Sequence, residues 1–209
     1  SKGNTNAKTS KNSLKTFILY LAPHKQNDKN INICPMASKG CISACLYTAG
    51  RGKFSNVQNA RINKTNFYIY DKEMFVLKLA GEIIKETNKA KKNKEKIAFR
   101  LNGTSDIDFI YLLQKYAQLN IEDLKENAVF YDYTKVLGKV NKYKNYTNYH
   151  LTFSRAEDNN SIAEAALNDG ANVAIVFRDK LPRFWRGYKV IDGDTSDILM
   201  VYNKNVVLG

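Results

Sequence analysis

The sequence predicts an α/β protein whose mostly parallel strands form a partial or closed (β/α) barrel. Three observations predict it. Strand-like apolar runs alternate with helix-like segments along the chain; most of those runs are continuous in Val, Ile, Phe and Tyr, as strands buried on both faces require; and no internal repeat or low-complexity linker divides the chain. An open doubly wound sheet is the second architecture the alternation allows. The expected organisation is a basic N-terminal arm over residues 1–15 and a single α/β domain over 16–209.

The arm, SKGNTNAKTSKNSLK, has four lysines, no acid and only Ala7 and Leu14 as apolar residues, so it is expected to be mobile or draped over the surface. Thr16 to Ala22 reads as a buried strand, followed by a polar loop, HKQNDKNIN, that leads to the cysteines. Phe54 to Lys85 places Phe67, Met74, Leu77 and Ile84 at helical spacing and predicts one or two helices, ended by the lysine-rich stretch Lys85 to Lys96. A strand over Ile97 to Leu101, a helix over Asp108 to Leu119 and a strand over Ala128 to Tyr133 follow. A Lys- and Tyr-rich span, helix-like or irregular, then precedes a strand over Tyr149 to Phe153, a helix over Ser161 to Asn168 and a strand over Val173 to Phe177. The chain closes with a Pro- and Trp-bearing loop, a strand over Tyr188 to Ile191, and a last strand or hairpin within Ile198 to Val207.

With 33 Lys and Arg against 20 Asp and Glu, the net charge of +13 favours anionic partners, either nucleic acid or an anionic small molecule. A hydrophobic fraction of 44% excludes global disorder. No apolar run approaches the roughly 18 residues needed to cross a bilayer, and Phe17 to Ala22 is too short for a signal-peptide core, so a protein acting in the cytoplasm is expected.

Polar residues gather after the strands: Asn102-Gly-Thr-Ser-Asp106, Asp132-Tyr-Thr-Lys135, Ser154-Arg155-Ala-Glu157-Asp158, Arg178-Asp179, and Asp192-Gly-Asp-Thr-Ser-Asp197. In parallel α/β architectures ligands bind beyond the carboxyl ends of strands, where these loops converge. Any one loop is equally well explained by helix capping or a tight turn; the coincidence over five loops predicts a shared site. Asn102, Thr104 and Ser105 are the candidate cofactor-binding residues and Asp106 and Asp132 the candidate catalytic ones.

All three cysteines fall within Cys34-Pro-Met-Ala-Ser-Lys-Gly-Cys41-Ile-Ser-Ala-Cys45, just downstream of the first strand. An odd count does not suit a disulfide framework, whereas three thiolates suit a metal site. Cys41 and Cys45 are one helical turn apart and could share a face. Three thiolates would hold three irons of a 4Fe-4S iron-sulfur cluster; with a fourth ligand, His24 being the candidate, they would instead make a tetrahedral zinc site. Small buried cysteines without metal are the third possibility. His150, within YHLTFS, reads as a core or cavity-lining residue. Position favours iron: radical S-adenosylmethionine enzymes also carry three cysteines after the first strand of a (β/α) barrel, although their C-x3-C-x2-C spacing is not the C-x6-C-x3-C found in this chain.

Taken together, CPMASKGCISACLYTAGRG, NVQNARINKT, RLNGTSD, FYDYTK, YHLTFS and VIDGD, in that order, resemble the phage and plasmid-borne gene product 88 domain family from about Phe17 onward. The resemblance implies a mobile-element protein acting inside a bacterial host and carries over no biochemical activity. In its light Gln58 and Arg61, with Thr65, lie on neighbouring turns and could face the cluster or an anionic ligand, or form a solvated basic face.

Three functions follow as expectations. The first is an iron-sulfur enzyme of radical-S-adenosylmethionine-like architecture with Cys34, Cys41 and Cys45 on the cluster. The second is a nucleic-acid-binding protein with a structural zinc, resting on the charge and on the Lys/Tyr run Lys139 to Tyr146. The third is a divalent-metal nuclease or phosphoryl-transfer enzyme using Asp106, Asp132, Asp192 and Asp194.

Overall fold

The computed structural model describes residues 14–196 and 198–209. The expected arm over residues 1–15 therefore lies outside the described residues except for Leu14 and Lys15, and Lys15 opens the first strand. Eight strands form one sheet: β1 (Lys15–Ile18), β2 (Ile97–Arg100), β3 (Ala128–Thr134), β4 (Tyr149–Ser154), β5 (Asn172–Ala174), β6 (Phe184–Trp185), β7 (Tyr188–Ile191) and β8 (Val207–Leu208). Their spatial order is β1-β2-β3-β4-β5-β8-β7-β6, and every neighbouring pair is parallel except β6 with β7.

The sheet is open, which corrects the expectation of a closed barrel. Closure requires the first and last strands to share a ladder. Among the described residues β1 pairs only with β2 at one edge and β6 only with β7 at the other. The C-terminal stretch Ile198 to Val207 is not a hairpin: it forms a short helix, α7 (Leu199–Tyr202), and delivers β8 into the sheet between β5 and β7. The last strand in sequence is thus internal and cannot meet β1.

Six further helices are α1 (Lys39–Ser43), α2 (Ser55–Tyr70), α3 (Lys72–Lys92), α4 (Phe109–Ala117), α5 (Leu137–Tyr143) and α6 (Asn160–Asn168). The predicted Phe54–Lys85 segment is two helices because Asp71, at φ −139°, breaks the first and caps the second by accepting a hydrogen bond from Met74 N. The lysine-rich stretch does not end α3, which runs through it to Lys92. Lys, Glu and Ala are strong helix formers, and Ala90 is buried. Its inward face is Phe75, Val76, Leu79, Ala80 and Ile83, whereas Met74, Leu77 and Ile84 are exposed. β1 and β5 are shorter than predicted, β5 ending before the exposed Val176.

Strand alternation sorts the two faces of the sheet. Ile97, Phe99, Ala128 and Phe130 pack with residues of α3 and α4, and Phe153 and Val173 with residues of α6. Ala98, Val129 and Tyr131 point the other way, against Ile198 and Met200 around α7. In-register phenylalanines form a row across three strands: Phe17 over Phe99 at 5.5 Å between centroids, and Phe99 over Phe130 at 5.1 Å. No described helix is long and apolar enough to cross a membrane.

Phe130, at the end of this row, is fully buried on the internal strand β3. Phe130→Ala is expected to lower the unfolding free energy by about 3–5 kcal/mol in urea titration. A loss below about 1 kcal/mol would place the ring outside the cooperative core.

Candidate functional site

Of the five polar loops expected to share a site, those after β2, β3 and β4 meet the cysteine segment that follows β1 around a cavity of about 240 Å³, and Arg178 and Asp179 are not on its lining. Cys34, Cys41 and Cys45 all line it. Each is set by local chemistry. Cys34 follows a turn in which Asn32 Oδ1 accepts its N–H at 2.8 Å, and its sulfur accepts the His24 N–H at 3.3 Å. Cys41 sits in α1, whose first turn is capped by Ser38 Oγ accepting the Cys41 N–H at 3.2 Å. Cys45 lies just beyond α1 in extended backbone, so the two do not share a helical face; the helix stops at Ala44.

The cysteine helix is anchored from across the sheet. Glu157, in the loop after β4, accepts the Ser38 hydroxyl and the Gly40 N–H, both at 2.8 Å, at the amino end of α1 where negative charge is favoured. Those donors and its own N–H hold the Glu157 carboxyl below its ordinary range. A β-carbon on Gly40 would stand 2.9 Å from Glu157 Oε1, which explains a glycine there. After Cys45 the chain makes two 3-10 turns, Leu46–Thr48 and Gly50–Lys53. Arg61 Nη1 donates to Tyr47 O at 3.1 Å, with its guanidinium over the Tyr20 and Tyr47 rings, and Gln58 Nε2 donates to Gly52 O at 2.9 Å.

The loop after β2 is held by two carboxylates. Asp132 Oδ1 accepts the Asn102 N–H at 2.8 Å and Oδ2 accepts Asn102 Nδ2 at 3.1 Å, while Asn102 Oδ1 accepts from Ser105 Oγ and Ile107 N. Asp106 accepts from Thr134 Oγ1, from Lys135 N at 2.9 Å and from Lys139 Nζ at 2.8 Å, tying the β2 loop to the β3 loop. Thr104 Oγ1 donates to Leu21 O, and Cys34 Sγ to Thr104 O at 3.7 Å, joining that loop to the cysteine segment. Gly103 must be glycine, since a β-carbon would lie 2.6 Å from the Tyr20 ring. Two cations complete the cavity: Arg100, stacked on the Tyr133 ring at 4.9 Å, and Lys135, whose Nζ donates to Ser154 Oγ at 2.9 Å.

Burial dominates the titration of the inner groups. It pushes the Cys34 thiol up to about 11; the His24 N–H opposes this, while negative charge on Cys45, Asp106 and Cys41 adds to it. Asp132 is pushed up to about 6 by complete burial, countered by Lys139, the Asn102 N–H and Arg100.

The cavity thus gathers Cys34, Cys41, Cys45, Asn102, Thr104, Ser105 and Asp106 from the expected set. It does not gather Asp132, which lies beneath the loop as the brace of Asn102, nor Gln58 and Arg61, which brace the turns after Cys45. His24 offers its backbone to Cys34, and its ring is not among the cavity lining. Asp192 and Asp194 form their own turn after β7, four strand positions from β3, and Asp197 lies outside the described residues. The Lys/Tyr run is occupied internally: Lys139 with Asp106, Lys142 with Asp108, Lys144 with Asp169, and Tyr143 OH with Asp108. Among the described residues, no three His, Cys, Asp or Glu side chains are grouped to hold a single metal ion.

Sequence reasoning missed the roles of Glu157, Lys139, Arg100 and Tyr133. Ser38, three residues before Cys41 at the start of a short helix, was the available signal for a capped cysteine helix; nothing local marks Glu157 as its anchor from 119 residues away. The buried Lys139–Asp106 pair is expected to be the most sensitive polar contact at the site. Lys139→Met should cost about 3–5 kcal/mol in urea titration, because it strands the Asp106 charge, and Asp106→Asn should cost less. Equal unfolding free energies for wild type and Lys139→Met would refute that coupling.

Comparison with known proteins gives one match. The gene product 88 family model fits the chain over residues 1–209. No curated protein and no solved structure matches. Matched along its whole length and carrying the motifs that line the cavity, the chain belongs to the gene product 88 family.

Proposed function

We propose that the chain is an iron-sulfur protein in which Cys34, Cys41 and Cys45 hold a 4Fe-4S cluster through three irons, leaving the fourth iron to an exogenous ligand. In this reading the open sheet is a partial, radical-S-adenosylmethionine-like (β/α) barrel, and the protein works in the cytoplasm of a bacterial host. The observation that carries it is that three thiols from one twelve-residue segment, Cys34 to Cys45, line a single cavity at the carboxyl ends of parallel strands, beside Asn102, Thr104, Ser105, Arg100 and Lys135. Three soft donors are the ligand type that iron-sulfur clusters take. At about 240 Å³ the cavity far exceeds the roughly 10–15 Å³ that one water needs, so a multi-atom group and a ligand beside it are in scale.

A cluster bound there supplies one-electron chemistry and an open coordination position. The chain's own residues supply the rest. Arg100 and Lys135 give the cavity positive charge for an anionic small molecule such as a nucleotide, or for the carboxylate of S-adenosylmethionine. Asn102, Thr104 and Ser105 present that wall in fixed orientation, and Asp106 and Asp132 act as positioning residues, because each carboxylate is already bonded to loop donors. Tyr133, stacked on Arg100, keeps the guanidinium at the cavity.

Anaerobic reconstitution with iron and sulfide tests the proposal. About four irons and four sulfides per chain, with a broad visible charge-transfer absorption, are expected, and Cys41→Ala should lose both. A colourless protein that takes up zinc alone, or an unaltered spectrum in Cys41→Ala, would contradict it.

A further inference from the structure

The amino ends of β2, β3 and β4, opposite the cysteines, surround a second cavity of about 380 Å³ on the face that α7 covers. Lys96 stands directly before β2 and Lys125 shortly before β3; both are exposed, and neither pairs with a carboxylate among the described residues. Tyr202, at the end of α7, lines the cavity with its side chain largely in solvent, 64% exposed. Glu126 is the one acid on the lining, while the nearby Glu122 carboxylate is taken up by Thr147 and the Asn148 N–H. Asn148, also on the lining and 2% exposed, has its amide fixed by Nδ2 donating to Ile121 O and Ala128 O. Its Oδ1 is a buried acceptor with no partner among the described residues.

Two ammonium groups beside a cavity, without a carboxylate partner among the described residues, favour phosphate, and an exposed flat ring next to them favours a base. We propose that this cavity is a nucleotide site in which Lys96 and Lys125 take the phosphate and the ring of Tyr202 takes the base. A free nucleotide and a unit of a single strand present the same chemistry. The site is independent of the cysteine cavity, which lies at the other end of the strands.

His150 is a built-in reporter, lining this cavity and a smaller neighbouring one. Burial pushes its imidazole down to about 4, with Lys204 and Lys96 adding to the effect and Glu122 opposing it. Lys125 and Glu126 face it from the same cavity, and Lys144 and Asp169, paired with each other, from the neighbouring one. Phosphate bound beside the lysines would favour the charged imidazole.

The chain has two histidines, so imidazole NMR resolves His150 from His24, which serves as the internal control. Titration of the full chain at low salt with AMP is expected to move the His150 midpoint from about 4 to about 5 or above, since a negative charge within about 4–6 Å favours protonation. Lys125→Glu should abolish the movement. Tyr202→Ala should weaken AMP about fivefold or more and leave inorganic phosphate unaffected. Oligothymidylate binding tighter than AMP, and weakening as salt rises, assigns a single strand as the natural ligand; AMP binding at least as tightly assigns a free nucleotide. A His150 titration unmoved by AMP, phosphate and oligothymidylate, or moved equally in Lys125→Glu, would overturn the site. Phosphate matching AMP, with Tyr202→Ala silent, would overturn its assignment to nucleotides.

Discussion

Two carboxylates, the buried Asp132 and the partly buried Asp106, fix the ends of β2 and β3 against each other, and the cysteine cavity exists because they do. Asp132 carries the Asn102 backbone and side chain; Asp106 carries Thr134, the Lys135 N–H and the Lys139 ammonium. Parallel strands end in loops that have no partner strand to pair with, so their polar backbone groups need side chains to satisfy them. These carboxylates provide that, and in doing so hold Asn102 to Asp106 as a rigid wall. Burial pushes the Asp132 carboxyl up to about 6, countered by Lys139, and the Lys139 ammonium is drawn under the loop as the counter-ion of Asp106.

The cysteine segment is built on the same principle from the opposite side. It contributes little to the core: Met36, Ile42, Leu46 and Phe54 are exposed. Polar tethers, local and long-range, hold it instead. Glu157 caps α1, Arg61 and Gln58 clamp the turns after Cys45, and Cys34 hydrogen-bonds to Thr104 O. A segment held mainly by hydrogen bonds, with its sulfurs turned to a shared cavity, is arranged for a ligand more than for packing. The cavity at the opposite end of the sheet is lined by Lys96 and Lys125 and by no cysteine, so the two ends of the strands offer different chemistry.

Most of the fold was legible in the sequence, because apolar runs such as Ile97 to Phe99 and Ala128 to Tyr131 report burial on both faces directly. Errors arose where tertiary placement decides. Whether the sheet closes depends on where β8 inserts, and a two-residue strand carries almost no signal of its own. The spacing of Met74, Leu77 and Ile84 reported helix but not its buried face, since all three are apolar yet exposed. The cavity wall was legible as a cluster of polar residues after strands; which member faces the cavity and which braces the wall was not. Asp132 and Thr104 look equivalent in sequence, and only strand parity and the loop's course put the first beneath the wall and the second on it. Lys139 looked like surface charge and is instead a buried counter-ion.

The central claim is that the three cysteines act as one ligand set with one coordination position left over. Native mass spectrometry of the anaerobically reconstituted chain tests this most directly, since it counts what each molecule carries. The account predicts a single species heavier by four irons and four sulfides, converted wholly to the metal-free mass in each of Cys34→Ala, Cys41→Ala and Cys45→Ala. A species carrying one zinc ion, or cluster retention in any one of the three variants, would contradict it.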